Sequence, residues 1–393
     1  MAAGHCTCSL CAFIAALSGS CKRGATKEAH IPTDSQRRPA KTLAAAIAVI
    51  AATLSTPAVP PASAQAEPAA TTAGQSGQSA VVFVYHRFGE GRYPSTNIRL
   101  EQFEEQIAEL TAGGHTALPL ARIVEAVRSG APLPDRTVSI TVDDAYASVI
   151  HEGWPRLKAA GIPLTVFVST DSVDAGYDGY MTWDQIRALA RDGVTIGHHT
   201  ASHLHMIAAG VDASLADIRR ASARFQAELG YVPPLFAYPY GEFSLELAQA
   251  VREEGFDGAV AQYSSVARVG DDAFTLPRFP VNERYGEMGR FRLIANARAL
   301  PISDLTPRGP VLTADANPPV FGFTVAESVA GLSALACYPS HLGAAAPVEV
   351  LGTHRVEVRF DKPFPAGRSR INCTMPGPDR RWYWFGRPFF VLE

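Results

Sequence analysis

Charge, cysteine and long apolar runs are all scarce in this 393-residue chain, and each scarcity removes a class of function. Charged residues make up 19% and the formal net charge is −3, with no basic run in the folded region. That excludes an electrostatic grip on nucleic acid or on an anionic membrane. The apolar run Leu43–Leu54 is short for a full membrane span. Four of the six cysteines (Cys6, Cys8, Cys11, Cys21) lie near the N-terminus, and their spacing does not suit a zinc knuckle. No internal repeat is visible. What is present is a hydrophobic fraction of 47%, which describes a globular protein of more than one core.

The N-terminus reads as an export signal. Arg37, Arg38 and Lys41 precede the apolar run, and small residues follow in Pro60–Ala66. This is a charged region, an apolar region and an A-x-A-like cleavage site, with cleavage expected after Ala64 or Ala66. The protein is then secreted or periplasmic, and membrane-anchored only if the segment stays uncleaved. Residues 1–36 read as a mis-assigned start or a segment lost with the signal. Cys337 and Cys373 are the only cysteines left after export. An even pair in an oxidising compartment predicts one disulfide within the C-terminal domain.

Residues 67–79 are small and polar, a linker. From Ala80 to about residue 300, short apolar runs alternate with helical periodicity. Strands are expected at Val81–Tyr85, Thr137–Val142, Leu164–Val168, Val194–Ile196, Leu235–Tyr238 and Gly258–Ala261. Helices are expected between them, among them Leu100–Leu110, Trp183–Arg191, Leu215–Leu229 and Leu245–Glu254. Such alternation demands a parallel sheet covered by helices, an α/β fold. The stretch 301–319 is Pro-rich and irregular and reads as a linker. Residues 320–393 carry short strands without helix periodicity, which predicts a small β-sandwich. Its Trp382–Phe385 run reads as core aromatics rather than as a sugar-stacking surface.

The chemistry concentrates at strand ends. Thr137–Val142 runs directly into Asp143-Asp144, and Ile196 is followed by Gly-His-His-Thr-Ala-Ser-His203. Adjacent carboxylates at the exit of a buried strand repel each other. A divalent cation shared with His199 and His203 resolves that repulsion.

Val142-Asp-Asp144, His199-Thr-Ala-Ser-His203 and Tyr238-Pro-Tyr-Gly241, in this order and over residues 80–285, resemble the polysaccharide deacetylase family, carbohydrate esterase family four. Tyr85-His-Arg-Phe-Gly89 and Phe236–Gly241 look most like its branch acting on exported poly-N-acetylglucosamine. The resemblance implies a distorted, incomplete (β/α) barrel. It implies Asp144, His199 and His203 as ligands of a divalent metal, with zinc fitting best and cobalt, nickel or iron tolerated. Asp143 is the implied general base, and the backbone N–H of Tyr240 the oxyanion donor. Tyr238, Pro239 and Gly241 then line the substrate groove, and Thr200 orients the metal ligands.

Two departures from the family pattern stand out. No Leu-x-His element closes the barrel region, and the natural replacement for its acid is His86. The third motif carries Ala237 where the family has an arginine, so Arg278 is expected to brace Asp143 instead. His198 and His205 are expected to be bystanders. The implied function is metal-dependent removal of N-acetyl groups from an extracytoplasmic polysaccharide, with export or polymer-assembly machinery as a further partner. The rivals are a peptidoglycan or chitin-oligomer deacetylase, a xylan acetyl esterase, and a non-catalytic glycan-binding or assembly protein.

Overall fold

The computed structural model describes residues 78–392. The expected export signal and most of the linker before residue 80 lie outside the described residues. The main elements of the first part are β1 (Ser79–Tyr85), α1 (Leu100–Ala112), α2 (Leu120–Ser129), β2 (Thr137–Asp143), α3 (Trp154–Ala159) and β3 (Leu164–Val168). They continue with α4 (Trp183–Arg191), β4 (Thr195–His198), α5 (Val211–Leu229), β5 (Leu235–Ala237), α6 (Leu245–Glu253), β6 (Gly258–Val260) and α7 (Met288–Ala295). The helices start and stop where local chemistry directs. Thr182 and Gln185 form a capping box at the start of α4, and Gly230 ends α5 in the left-handed conformation.

The six strands β1 to β6 run parallel, in chain order across the sheet. Every residue of β2 is buried, as a parallel strand covered on both faces must be. Along β1 the alternation is clean: Val81, Phe83 and Tyr85 enter one apolar cluster, Ala80 and Val82 another. The curled sheet is an incomplete (β/α) barrel, and the segment 276–281 spans its open seam. Leu276 bridges Val260 of β6, and Phe279–Pro280 pairs in parallel with Phe83 and Val84 of β1. This places Arg278, between those two contacts, at the closing edge of the barrel.

The C-terminal part is all β. One sheet orders Arg298–Ala299, β13 (Trp382–Val391), β12 (Gly367–Pro376) and β9 (Ala336–Pro339). The other orders β7 (Ile302–Thr306), β8 (Phe321–Val325), β11 (Arg355–Val358) and β10 (Val348–Leu351). A shared apolar cluster with Phe321, Phe323, Val356, Ile371 and Phe389 lies between them. The stretch 301–319, expected as a linker, contains β7 and the short strand Val311–Leu312, which pairs with β13. Its prolines fall outside the strands, just before β7 and in the connections between β7, Val311–Leu312 and β8. Cys337 and Cys373 face each other across β9 and β12 and form a disulfide.

Strand β13 shows why 78–392 folds as one body. Tyr383, Phe385 and Phe389 enter the cluster between the two C-terminal sheets. Trp384 and Phe390, on the opposite face, pack on the clusters of the barrel. The Trp384 indole donates to the Ser264 carbonyl and stands edge-on to Phe279, their ring centroids 5.2 Å apart. Alternation along one strand therefore serves two cores.

Candidate active site

The C-terminal ends of β2, β4 and β5 converge on one point. Asp144 follows β2, His199 follows β4, and His203 lies on the loop after β4. One ligand atom from each of Asp144, His199 and His203 lies within 4.8 Å of the others. Asp144 Oδ1 stands 3.6 Å from His199 Nε2 and 3.4 Å from His203 Nε2. His199 is almost fully buried, and its Nδ1–H donates to the Ala237 carbonyl at 2.7 Å. That hydrogen bond fixes the tautomer and leaves Nε2 as a lone pair aimed at the cluster. Burial and the neighbouring His199 push His203 down to about 4, against the opposing pull of Asp144 and Asp143. Two imidazoles and a carboxylate form a donor set suited to a borderline divalent cation.

Backbone strain gathers at the same place. Asp144, Ala145, Thr200, His203 and Tyr240 all have φ between 55° and 74°. Left-handed non-glycine residues cost free energy and persist where the surroundings over-determine them. Here the determinants are visible. The Thr200 hydroxyl accepts from the His203 backbone N–H, and the Asp217 carboxylate accepts from the N–H groups of Ala201 and Ser202. Gly197, in β4, admits no side chain, because a Cβ would overlap the Phe167 ring.

Asp143 is buried beside the cluster. Arg278 donates to both of its oxygens, Nη1 and Nη2 each at 2.7 Å, and also to Thr141 Oγ1 and the Ala261 carbonyl. Burial pushes the Asp143 carboxyl up, but the Arg278 guanidinium, helped by His199 and His86, outweighs it and holds the group at about 2. His86 ends β1 on the same rim. It lines a cavity of about 310 Å³ together with Tyr240, Gly241, Gln262, Tyr285 and Arg368.

The Tyr238–Gly241 segment divides. Tyr240 faces the site, its ring centroid 4.4 Å from that of His203. Gly241 also lines the cavity, and with φ of 72° any Cβ would overlap the backbone of Gln262. Tyr238 does not line the groove as expected. It is fully buried, and its hydroxyl donates to the Phe274 carbonyl at 3.0 Å. Pro239 is buried too and shapes the turn. Strand alternation explains the first, since Tyr238 continues the face of Phe236 in β5. His198 is a core residue, its imidazole against the Ile218 carbonyl, and burial pushes it down to about 3.

Sequence reasoning missed three contributors, Asp217, Glu242 and Arg368. Asp217 reaches the histidine loop from α5 with no motif around it. His205, expected to pack or hydrogen-bond near the site, stacks flat on the Tyr240 ring with centroids 3.8 Å apart. Its Nδ1 is 3.0 Å from Glu242, a residue whose place directly after Pro-Tyr-Gly was the one available signal. Arg368 arrives from β12, 128 positions from Tyr240, and nothing in the sequence connects the two.

A polysaccharide deacetylase family profile matches residues 130–259. Over 204 residues the chain is 28% identical to the poly-β-1,6-N-acetyl-D-glucosamine N-deacetylase of Escherichia coli K12, covering 41% of this chain and 30% of that enzyme. The structure of IcaB from Ammonifex degensii superposes with a TM-score of 0.50 and 26% identity, over 56% of this chain and 98% of that one. Residues 130–259 are a polysaccharide deacetylase domain. A third relative, YxkH of Bacillus subtilis (strain 168), is 22% identical over 201 residues, 51% of this chain and 71% of its own length, and its assignment to these deacetylases is provisional. The chain thus spans under a third of the Escherichia coli enzyme and most of YxkH. The profile covers strands β2 to β5 and the start of β6, so the ligand cluster lies inside the matched region and His86, Arg278 and the C-terminal sheets lie outside it. Among the described residues, no helix is long and apolar enough to cross a membrane.

Proposed function

We propose that this protein removes N-acetyl groups from an exported polysaccharide, most closely a β-linked poly-N-acetylglucosamine. The observation that carries the reading is the Asp144–His199–His203 cluster with the Arg278-held Asp143 beside it. The 28% identity to the Escherichia coli poly-β-1,6-N-acetyl-D-glucosamine N-deacetylase supports the substrate class.

Asp144, His199 and His203 would hold a divalent metal, zinc by donor type. Such a cation, when bound, polarises an acetyl carbonyl and acidifies a water, which offsets the weak basicity of a carboxylate held at about 2. Asp143 stays ionised throughout the working range and takes the proton as water attacks. The Tyr240 N–H serves the developing oxyanion, a donor of a kind worth ~3 kcal/mol of barrier. His86, across the rim, protonates the departing amine. The products are acetate and a free amine that is cationic at neutral pH. Thr200 and Arg278 act by positioning. Export through the N-terminal signal, cleavage near Ala64 or Ala66, and engagement of the polymer or assembly machinery by the C-terminal sandwich belong to the same proposal.

Acetate release from a panel of defined glycans tests it. Turnover is expected on β-1,6-N-acetylglucosamine oligomers ahead of chitin oligomers, peptidoglycan and acetylated xylan. Preference for one of the last three would reassign the substrate. Binding without acetate release would favour a glycan-binding role.

A further inference from the structure

The C-terminal sheet reaches into the candidate active site through one side chain. Residues of β12 alternate. Ser369, Ile371, Cys373 and Met375 are buried, whereas Arg368 and Arg370 stand on the opposite face. Arg368 pairs in register with Phe390, which packs on the barrel. From that position Arg368 Nη1 donates to the Tyr240 carbonyl at 2.8 Å, and Nε lies 3.6 Å from Glu242. Glu242 in turn meets His205, whose ring lies flat against Tyr240. Tyr240 is thus gripped twice, by its carbonyl and by its ring, while its backbone holds a left-handed φ of 58°. Strained residues need such over-determination.

We propose that Arg368 is a positioning residue for the deacetylation step: the C-terminal sheet fixes the Tyr240–Gly241 peptide through Arg368 and, with His205 against the ring, holds the backbone conformation of Tyr240 that aims its own N–H, on the preceding peptide, at the oxyanion. This rests on the reading of Tyr240 as oxyanion donor. The sheet is then part of the catalytic apparatus and not only a polymer-binding appendage. Arg368 and Arg370 also line the cavity beside His86, so the same sheet forms one wall of the substrate groove. A donor aimed at the transition state contributes to turnover more than to ground-state binding.

The test uses the full exported protein, loaded with metal, in wild-type, Arg368→Ala and Arg368→Lys forms. Five quantities are read: kcat and KM for acetate release from a β-1,6-N-acetylglucosamine oligomer, bound metal, thermal midpoint, and inhibition by a methylphosphonamidate that mimics the tetrahedral adduct. Arg368→Ala should lower kcat by about tenfold or more and weaken the inhibitor by a similar factor. KM should stay within about threefold, with metal content and thermal midpoint unchanged. Arg368→Lys, which keeps one donor, should recover part of kcat. An active wild type with unchanged kcat in Arg368→Ala would overturn this inference alone. So would a rise in KM without loss of kcat, which marks a substrate contact, or a kcat loss that tracks lost metal or lower stability. A metal-loaded wild type that releases no acetate from any glycan would defeat the deacetylase reading and this inference with it.

Discussion

Arg278 and Asp143, 135 positions apart, form a buried bidentate pair in which both carboxylate oxygens accept a guanidinium N–H at 2.7 Å. The pair is the product of barrel closure, because the segment carrying Arg278 is the one that bridges β6 to β1.

Removing the guanidinium should change the pH profile in a definite direction. Burial pushes the Asp143 carboxyl up and Arg278 more than cancels it, to about 2. In Arg278→Gln only the upward push and the weaker histidine effects remain. The acid limb of kcat/KM should therefore move to higher pH by a unit or more, with lower activity at neutral pH. Stability should fall as well, by about 3–5 kcal/mol, since an uncompensated charge is left buried. An acid limb that stays in place would show that Asp143 is not the group titrating there.

His86 should matter for turnover and not for metal. His86→Ala is expected to lower kcat by about 10²-fold, the ordinary worth of one acid–base group, with metal content unchanged. A variant that keeps wild-type turnover would mean that another group protonates the amine.

Gly241→Ala should damage the site through its backbone. The residue holds φ of 72°, and a Cβ there meets the backbone of Gln262, which cannot swing away as a side chain would. A loss of about 1–3 kcal/mol is expected in denaturant titration, together with reduced turnover. Wild-type stability in that variant would refute the steric argument.

The Cys337–Cys373 disulfide closes a loop with a sequence separation of 36. Replacing both cysteines with serine should cost about 3–4 kcal/mol by chain entropy. A thiol assay on the mature protein should find no free thiol at either position.

Motif residues were legible in the sequence because parallel-barrel topology puts strand ends on one rim. Asp143, Asp144, His199 and His203 each follow a periodic apolar strand, and that pattern is readable without a structure. The strand and helix pattern of 80–261 was legible for the same reason: α4 spans Trp183–Arg191 as the periodicity predicts. The C-terminal half was harder. Strand β12 alternates buried residues with arginines and asparagine, and its outer face is polar because it meets the rim of the barrel rather than solvent alone. Tyr238 and Tyr240 would share a face on a continuous strand, and it is the turn at Pro239–Gly241, with Tyr240 at φ of 58°, that separates them, which spacing cannot resolve. Arg278 is suggested by the resemblance, as a replacement for the arginine that the family carries at the position of Ala237, but its bidentate contact depends on how the barrel closes. Arg368 and Asp217 depend on tertiary packing and leave no local trace.

The most direct test measures bound divalent metal and acetate release on the same samples of wild type, Asp143→Asn and Asp144→Asn. The wild type should hold one metal per chain and release acetate, losing activity on chelation and regaining it on re-addition. Asp143→Asn should keep the metal and lose turnover by about 10²–10⁴-fold, whereas Asp144→Asn should lose both. A wild type that never takes up a divalent ion, or an Asp143→Asn variant as active as wild type, would contradict a cation held by Asp144, His199 and His203 beside a carboxylate base.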